Sequence, residues 1–136
     1  MNTFLPYPDF QKSAQCLDYK RLGKQRVEAW QIYLSLTKEQ YGWKNHPCVR
    51  MWVGYEQSLL RYGMAICEEW KARGFKDNML DRFIKEYDLS KDKGNPKWLG
   101  NKKFHASHRS NLLRKDKEFY IKYGWTEPDN LSYIWG

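Results

Sequence analysis

Hydrophobic positions recur at helical spacing along most of the chain. From residue 17 to residue 32, and on to about residue 36, there is no proline and there are many strong helix formers. At about 100° per residue, Leu22, Val27, Ala29, Trp30, Tyr33 and Leu34 form one apolar arc. Lys20, Arg21, Lys24, Glu28, Gln31 and Ser35 fall on the opposite side. Glu28 is therefore expected as a lone carboxylate on a cationic stripe, one turn from Lys24 and two from Arg21. Arg26 falls near the middle of the apolar arc. If buried there, its guanidinium must meet a carboxylate or backbone carbonyls from another element; the alternative is an arginine that snorkels at the edge of the contact.

The remaining elements follow in order. Pro6 and Pro8 enforce an extended start, and Asp9 can cap a short helix over residues 10–16. The long helix ends in a polar turn over residues 37–41. A second helix is predicted over residues 47–73, with Pro47 at its first position and Gly74 as its stop. Gly54 and Gly63 weaken it locally and mark places for a close backbone approach. A third helix covers residues 77–87, with Met79, Leu80, Phe83 and Ile84 inward. Residues 90–97 form a polar loop, the least ordered part expected. A fourth helix spans residues 102–114, and a short one over 117–123 follows Asp116 as cap. The tail 125–136 has no clear period, but Trp125, Tyr133 and Trp135 suggest that it packs back. With no persuasive strand alternation, the expectation is an all-α fold: one compact domain, residues 1–136, with about three long helices plus short ones.

Composition narrows the partners. Of the 136 residues, 24 are Lys or Arg and 16 are Asp or Glu, for a net charge of +8. That balance favours a polyanion, with nucleic acid foremost, over a merely soluble basic protein. The aromatic share of 17% is enough both to fill a core and to offer rings to bases. Cys16, Cys48 and Cys67 are an odd number without a paired spacing, which points to reduced thiols and a cytoplasmic setting, as in a bacterial or phage-infected cell. The first residues lack signal-peptide character, no stretch approaches the length of a membrane span, and a monomer is expected.

Three constellations could carry chemistry. The first is Glu28 with its cations: a carboxylate beside a sugar can stabilise a cationic transition state or move protons. The alternative is a surface glutamate paired with Lys24. The second is the run from Phe104 to Lys115. His105 and His108 share a helix face, and Arg109, Asn111, Arg114 and Lys115 are donors of the kind that grip phosphates. Adding His46 and Cys48 would make a zinc reading, but the spacing fits no standard zinc pattern. The third is the run from Phe119 to Trp125, where Tyr120 and its neighbours interleave with Lys122 and could stack on bases or simply form core. No phosphate-binding glycine loop, Ser/His/Asp order or acidic Mg²⁺ cluster is present, and no metal or other cofactor is expected.

These residues resemble those of a known family. The start Thr-Phe-Leu-Pro-Tyr-Pro-Asp-Phe at residues 3–10, the pattern Leu-Asp-x-x-Arg-Leu-Gly-Lys-Gln-Arg-Val-Glu-Ala at 17–29, Asn-His-Pro at 45–47 and His-x-Ser-His-Arg-Ser-Asn-Leu-Leu-Arg-Lys-Asp at 105–116 carry the likeness. The chain resembles pyrimidine-dimer DNA glycosylase/AP lyases of the endonuclease V type, in a branch of short phage and bacterial proteins. The likeness to that branch runs over nearly the whole chain, and to the characterised phage enzymes it is more distant. The resemblance implies an endonuclease V-like fold, double-stranded DNA as partner and a damaged or modified pyrimidine as target. It implies that an N-terminal amine attacks the sugar C1′, that Glu28 assists, and that a Schiff base forms before the strand is nicked. The amine is expected on Met1, because Asn2 disfavours methionine removal, with Asn2 as the other candidate. Val27 stands where the phage enzymes have an arginine. Arg21, Lys24, Arg26, His46, His105, His108, Arg109, Asn111, Arg114, Lys115, Tyr120 and Lys122 are the candidate DNA contacts. The rival readings are a non-catalytic basic DNA-binding protein and a metal-dependent nuclease using His46, His105 and His108.

Overall fold

Aspartate and asparagine caps set where four of the helices of this computed structural model begin. The structure describes every residue except 39–41, 43, 92 and 93. Asp9 accepts from the Lys12 amide at 3.0 Å and starts α1, Phe10–Cys16. Asp18 does the same for Arg21 and starts α2, Tyr19–Thr37, so Leu17 and Asp18 precede the long helix rather than belonging to it. His46 accepts from the Cys48 amide at 3.0 Å, and Pro47 takes the first position of α3, Pro47–Arg50. After α4, Glu56–Ala72, come α5, Leu80–Leu89, and α6, Lys102–Lys115, which is capped by Asn101. Asp116 caps α7, Lys117–Tyr120, and a 3₁₀ turn over Ile121–Tyr123 completes the series.

The fold is all-α, with no strand among the described residues and with α2, α4 and α6 as the long helices. Two further boundaries differ from expectation. The helix predicted over residues 47–73 is broken, because Gly54 adopts φ +83°, where a helix cannot continue, and nothing approaches it. The third helix begins at Leu80 rather than 77: Asp77 stays outside and accepts from the Met79 and Leu80 amides. Gly74, at φ +90°, follows α4 as expected. The predicted polar turn over 37–41 and the loop over 90–97 lie partly outside the described residues.

α2 packs mainly on α4, which also holds α1 and α5. The core is aromatic, with Trp52, Tyr62, Phe83, Phe104 and Tyr120 fully buried among leucines and isoleucines. Met79 and Phe83 of the α5 region point inward, whereas Ile84 is 36% exposed. The tail does pack back: Trp125 stacks on Tyr120 and Tyr123, and Tyr133 meets His108. All three cysteines are free and buried. Among the described residues no helix is long and apolar enough to cross a membrane.

The buried face of α2 is rotated from the apolar arc. It comprises Leu22, Gln25, Glu28, Ala29, Ile32, Tyr33 and Ser35, while Val27 is 44% exposed. The reason lies outside the helix: the extended residues 2–5 lie along the Gln25–Glu28 side and offer it backbone partners. Hydrophobic periodicity does not register a face whose burial depends on hydrogen bonds.

Gly63 shows how closely α4 and α5 meet. A Cβ built there would lie 2.3 Å from Phe83 Cε1, so the glycine is what admits the ring. Gly63→Ala should cost about 1–3 kcal/mol through overpacking. The expected result is a lower thermal midpoint with unchanged helical circular dichroism; a midpoint equal to wild type would show that Phe83 has room to move.

Candidate active site

The site is assembled by fastening the first six residues to three helices. The Asn2 amide donates to Glu28 Oε2 at 2.8 Å, and the Asn2 carbonyl accepts from Gln25 Nε2 at 2.9 Å. Gln25 Nε2 also reaches Glu28 Oε2 at 3.2 Å. The Tyr62 hydroxyl, on α4, accepts from the Phe4 amide at 2.9 Å and donates to Gln25 Oε1 at 2.6 Å. It thereby orients the glutamine amide so that its NH₂ faces both Asn2 and Glu28. Two histidines of α6 hold the next peptide: the Leu5 amide donates to His108 Nδ1 at 3.0 Å, and the Leu5 carbonyl accepts from His105 Nδ1 at 2.7 Å. His105 Nε2 accepts from the Gly100 amide at 2.9 Å, which assigns its proton to Nδ1. Arg109 Nη1 then donates to the Pro6 carbonyl at 2.7 Å.

Glu28 is 8% exposed and lies at the edge of a cleft of about 360 Å³ lined by Met1, Asn2, Phe4, Lys20, Arg21, Lys24, Gln25 and Lys115. Lys24 Nζ is 3.4 Å from Glu28 Oε1, and its side chain is 75% exposed. The Lys115 ammonium is held below its ordinary range by partial desolvation and by the charges of Arg21 and Arg114. A carboxylate, the start of the chain and four cationic side chains thus share one opening. Such a cleft can take an anionic backbone and place a proton acceptor beside it. A larger groove of about 430 Å³, lined in part by Asp9, Phe10, Arg61 and Tyr87, contains none of the predicted site residues.

Of the residues singled out from the sequence, Glu28, Met1, Asn2, Arg21, Lys24 and Lys115 come together here. The others are committed elsewhere. Arg26 pairs with Asp77 at 2.7 Å and reaches Asn78, meeting the need for a carboxylate from another element. His46 caps α3, and His105 and His108 are buried around Leu5. Arg109 forms a two-pronged pair with Glu127 besides its bond to Pro6. The buried Asn111 donates to the Ser107 and Leu131 carbonyls, and Arg114 to those of Asp129 and Leu131. Tyr120 is wholly buried and bonds Asp18, while Lys122 lies over the rings of Phe119 and Tyr123. Within α6, His105, His108, Arg109, Asn111 and Arg114 thus bond the two ends of the chain, whereas Lys115 faces the cleft. His46, His105 and His108 do not gather, and no group of three or more potential metal ligands forms among the described residues.

Three members of the site were not legible beforehand, Phe4, Gln25 and Tyr62, whereas Lys20 already lay on the cationic stripe. A polar Gln25 one turn before Glu28 was the available signal, because its burial would require partners as specific as those found.

Asp18 is a second anchor of α2. Burial pushes its carboxyl up, but hydrogen bonds from Tyr120 and Arg21 outweigh this and leave it below the usual range.

An all-helical domain with a carboxylate at the edge of a cationic cleft has the charge pattern expected of proteins that act on nucleic acid. More narrowly, the chain belongs to the pyrimidine dimer DNA glycosylase family, whose model matches residues 1–83 of the 136. That family is one of DNA-repair glycosylases, with DNA as substrate. The matched part contains Asn2, Gln25, Glu28 and Tyr62, whereas α6 and the tail lie beyond it. No curated protein and no solved structure matches the chain.

His108 makes the clamp pH-sensitive. Burial, reinforced by the charge of His105, lowers it from 6.5 to about 3. As pH falls below its ordinary value, the unfolded chain takes up a proton that the folded chain refuses, so stability drops from about pH 6.5 down to about 3. His108→Asn keeps an acceptor for the Leu5 amide but removes the titration. Its acid-unfolding curve should be flatter over that window; a slope equal to wild type would assign the titration to another group.

Proposed function

We propose that the protein is a DNA glycosylase with AP-lyase activity, working through its N-terminal amine and Glu28 on a damaged or modified pyrimidine in duplex DNA. The observation that carries this reading is the 2.8 Å bond from the Asn2 nitrogen to Glu28 Oε2 in a cleft that Met1 also lines. A primary α-amine that has given up its proton is a nucleophile in its own right, with no cofactor required. On this reading the amine is Met1's; removal of Met1 would turn the Asn2 nitrogen, already against Glu28, into that amine.

In this mechanism the amine forms a bond to the sugar C1′ as the bond from C1′ to the base breaks and the base leaves. The sugar ring then opens as O4′ takes up a proton returned from Glu28, leaving C1′ joined to the nitrogen as an imine, the Schiff base. Glu28 stabilises the positive charge that develops at the sugar and takes up the proton the amine must lose. Loss of a C2′ proton then expels the 3′-phosphate and nicks the strand. Lys20, Arg21, Lys24 and Lys115 hold flanking phosphates. The target nucleotide leaves the stack to reach the cleft. The whole chain acts as one domain, because the Leu5 clamp from α6 sets the position of residue 2.

Borohydride reduces a protein–sugar imine to a stable amine, so wild-type protein should be trapped covalently on duplex DNA with an abasic site. Mass analysis of the trapped N-terminal peptide reports whether Met1 or Asn2 carries the sugar. Glu28→Gln preserves the shape of the site and should lower turnover by roughly 10²–10⁴-fold. Its DNA affinity should be retained. Absence of trapping with the native N-terminus intact would sink the Schiff-base mechanism. Undiminished turnover by Glu28→Gln would remove the carboxylate from it.

A further inference from the structure

We infer that the exposed ring pair Tyr19–Phe75, seated on Trp70 beside the Lys20–Lys24 stripe, is a stacking site for an unpaired nucleobase of DNA lying across α2. The inference rests on the proposed DNA-binding face and adds a contact which that reading does not require.

Tyr19 opens α2 and is 56% exposed, and Phe75 follows α4 and is 42% exposed. The rings lie 6.4 Å apart and 23° from parallel. Phe75 in turn stacks on Trp70 at 4.2 Å and 21°. This ladder is fixed from below. Trp70 lies against Gly23, where a Cβ would be 2.8 Å from its ring, so only glycine lets the indole so close to α2. Trp70 Nε1 donates to the Lys76 carbonyl at 2.9 Å, and the Arg26 guanidinium sits 5.1 Å from the ring. Arg26 is itself held by Asp77. A planar aromatic surface is therefore preorganised and left open to solvent.

Its surroundings select the occupant. Turning around α2 at about 100° per residue, the Tyr19–Gly23–Val27 stripe adjoins the Lys20–Lys24 stripe, which adjoins Glu28. Lys20, Lys24 and Lys76 are exposed, and the nearby acid Asp77 is taken by Arg26. Flat rings beside exposed ammonium groups suit a polyanion that carries flat rings of its own. Every base offers a π-face, so the contact needs no particular sequence. Two rings are too small an area for a stable protein–protein interface, which buries at least about 1,000 Å².

The probe is a duplex carrying one bulged 2-aminopurine, compared with the same duplex fully paired. Wild type should bind the bulged duplex about tenfold more tightly and quench the probe. Tyr19→Ala and the Tyr19→Ala/Phe75→Ala pair should lose that preference and the quenching. Tyr19→Phe should keep both. All are checked by thermal melting, and Tyr19→Ala removes only an exposed side chain. If wild type treats the two duplexes alike, or the alanine variants weaken both equally, the stacking site is overturned even though borohydride trapping succeeds. Failure of wild type to bind either duplex would instead overturn the DNA-binding face beneath it.

Discussion

The backbone of Leu5 is gripped at both ends of its peptide unit by buried imidazoles, His108 on the amide and His105 on the carbonyl. Both bonds lie where water does not compete, so each is costly to leave unmade. With Tyr62 holding residue 4 as well, the extended chain has little freedom left. At roughly 3.3 Å per residue it must deliver residue 2 to one spot on α2. That spot holds Glu28 and Gln25. The geometry of the cleft is inherited from α6 and α4, although neither helix supplies its carboxylate.

This division of labour explains how the chain uses its polar residues. α6 carries more polar side chains than a surface helix needs, and His105, Ser107, His108, Ser110 and Asn111 are all buried. Each binds one of the two chain ends. Ser110 and Ser107 receive the Leu131 and Ile134 amides of the tail, while the histidines hold the start. Tyr133 presses its ring on His108, and its hydroxyl lies beside Asn2 outside hydrogen-bond geometry. Both termini are thus locked to one helix, and α2 is left to present its charges to the cleft.

Burial also changes what individual groups are worth. A glutamate on an open surface would exchange Lys24 for water at little cost. Glu28 instead accepts from Asn2 and Gln25 with only one edge near the solvent-facing Lys24. It is anchored on one side and open on the other. Arg26, only two residues away, has the opposite fate. It is paired with Asp77 and laid near Trp70, where it braces the α2–α4 contact.

Much of the architecture was legible in local chemistry. Asp9, Pro47, Gly74 and Asp116 act through the backbone of their immediate neighbours, so caps and stops could be read along the chain. Repeating apolar positions placed the three long helices, and the need of a buried guanidinium for a partner foretold the Arg26 contact. The family motifs singled out Glu28. Periodicity erred where partners come from far away in sequence. The buried side of α2 turned toward Gln25 and Glu28 because residues 2–5 cover it, and Val27 was left to solvent. Likewise, His105, His108, Arg109 and Asn111 have the composition of a phosphate site. Their donors could be assigned to the two chain ends only once the fold had brought those ends to α6. Local propensity is written in the neighbouring residues, but whether a polar side chain faces water or the chain itself depends on what tertiary packing lays against it.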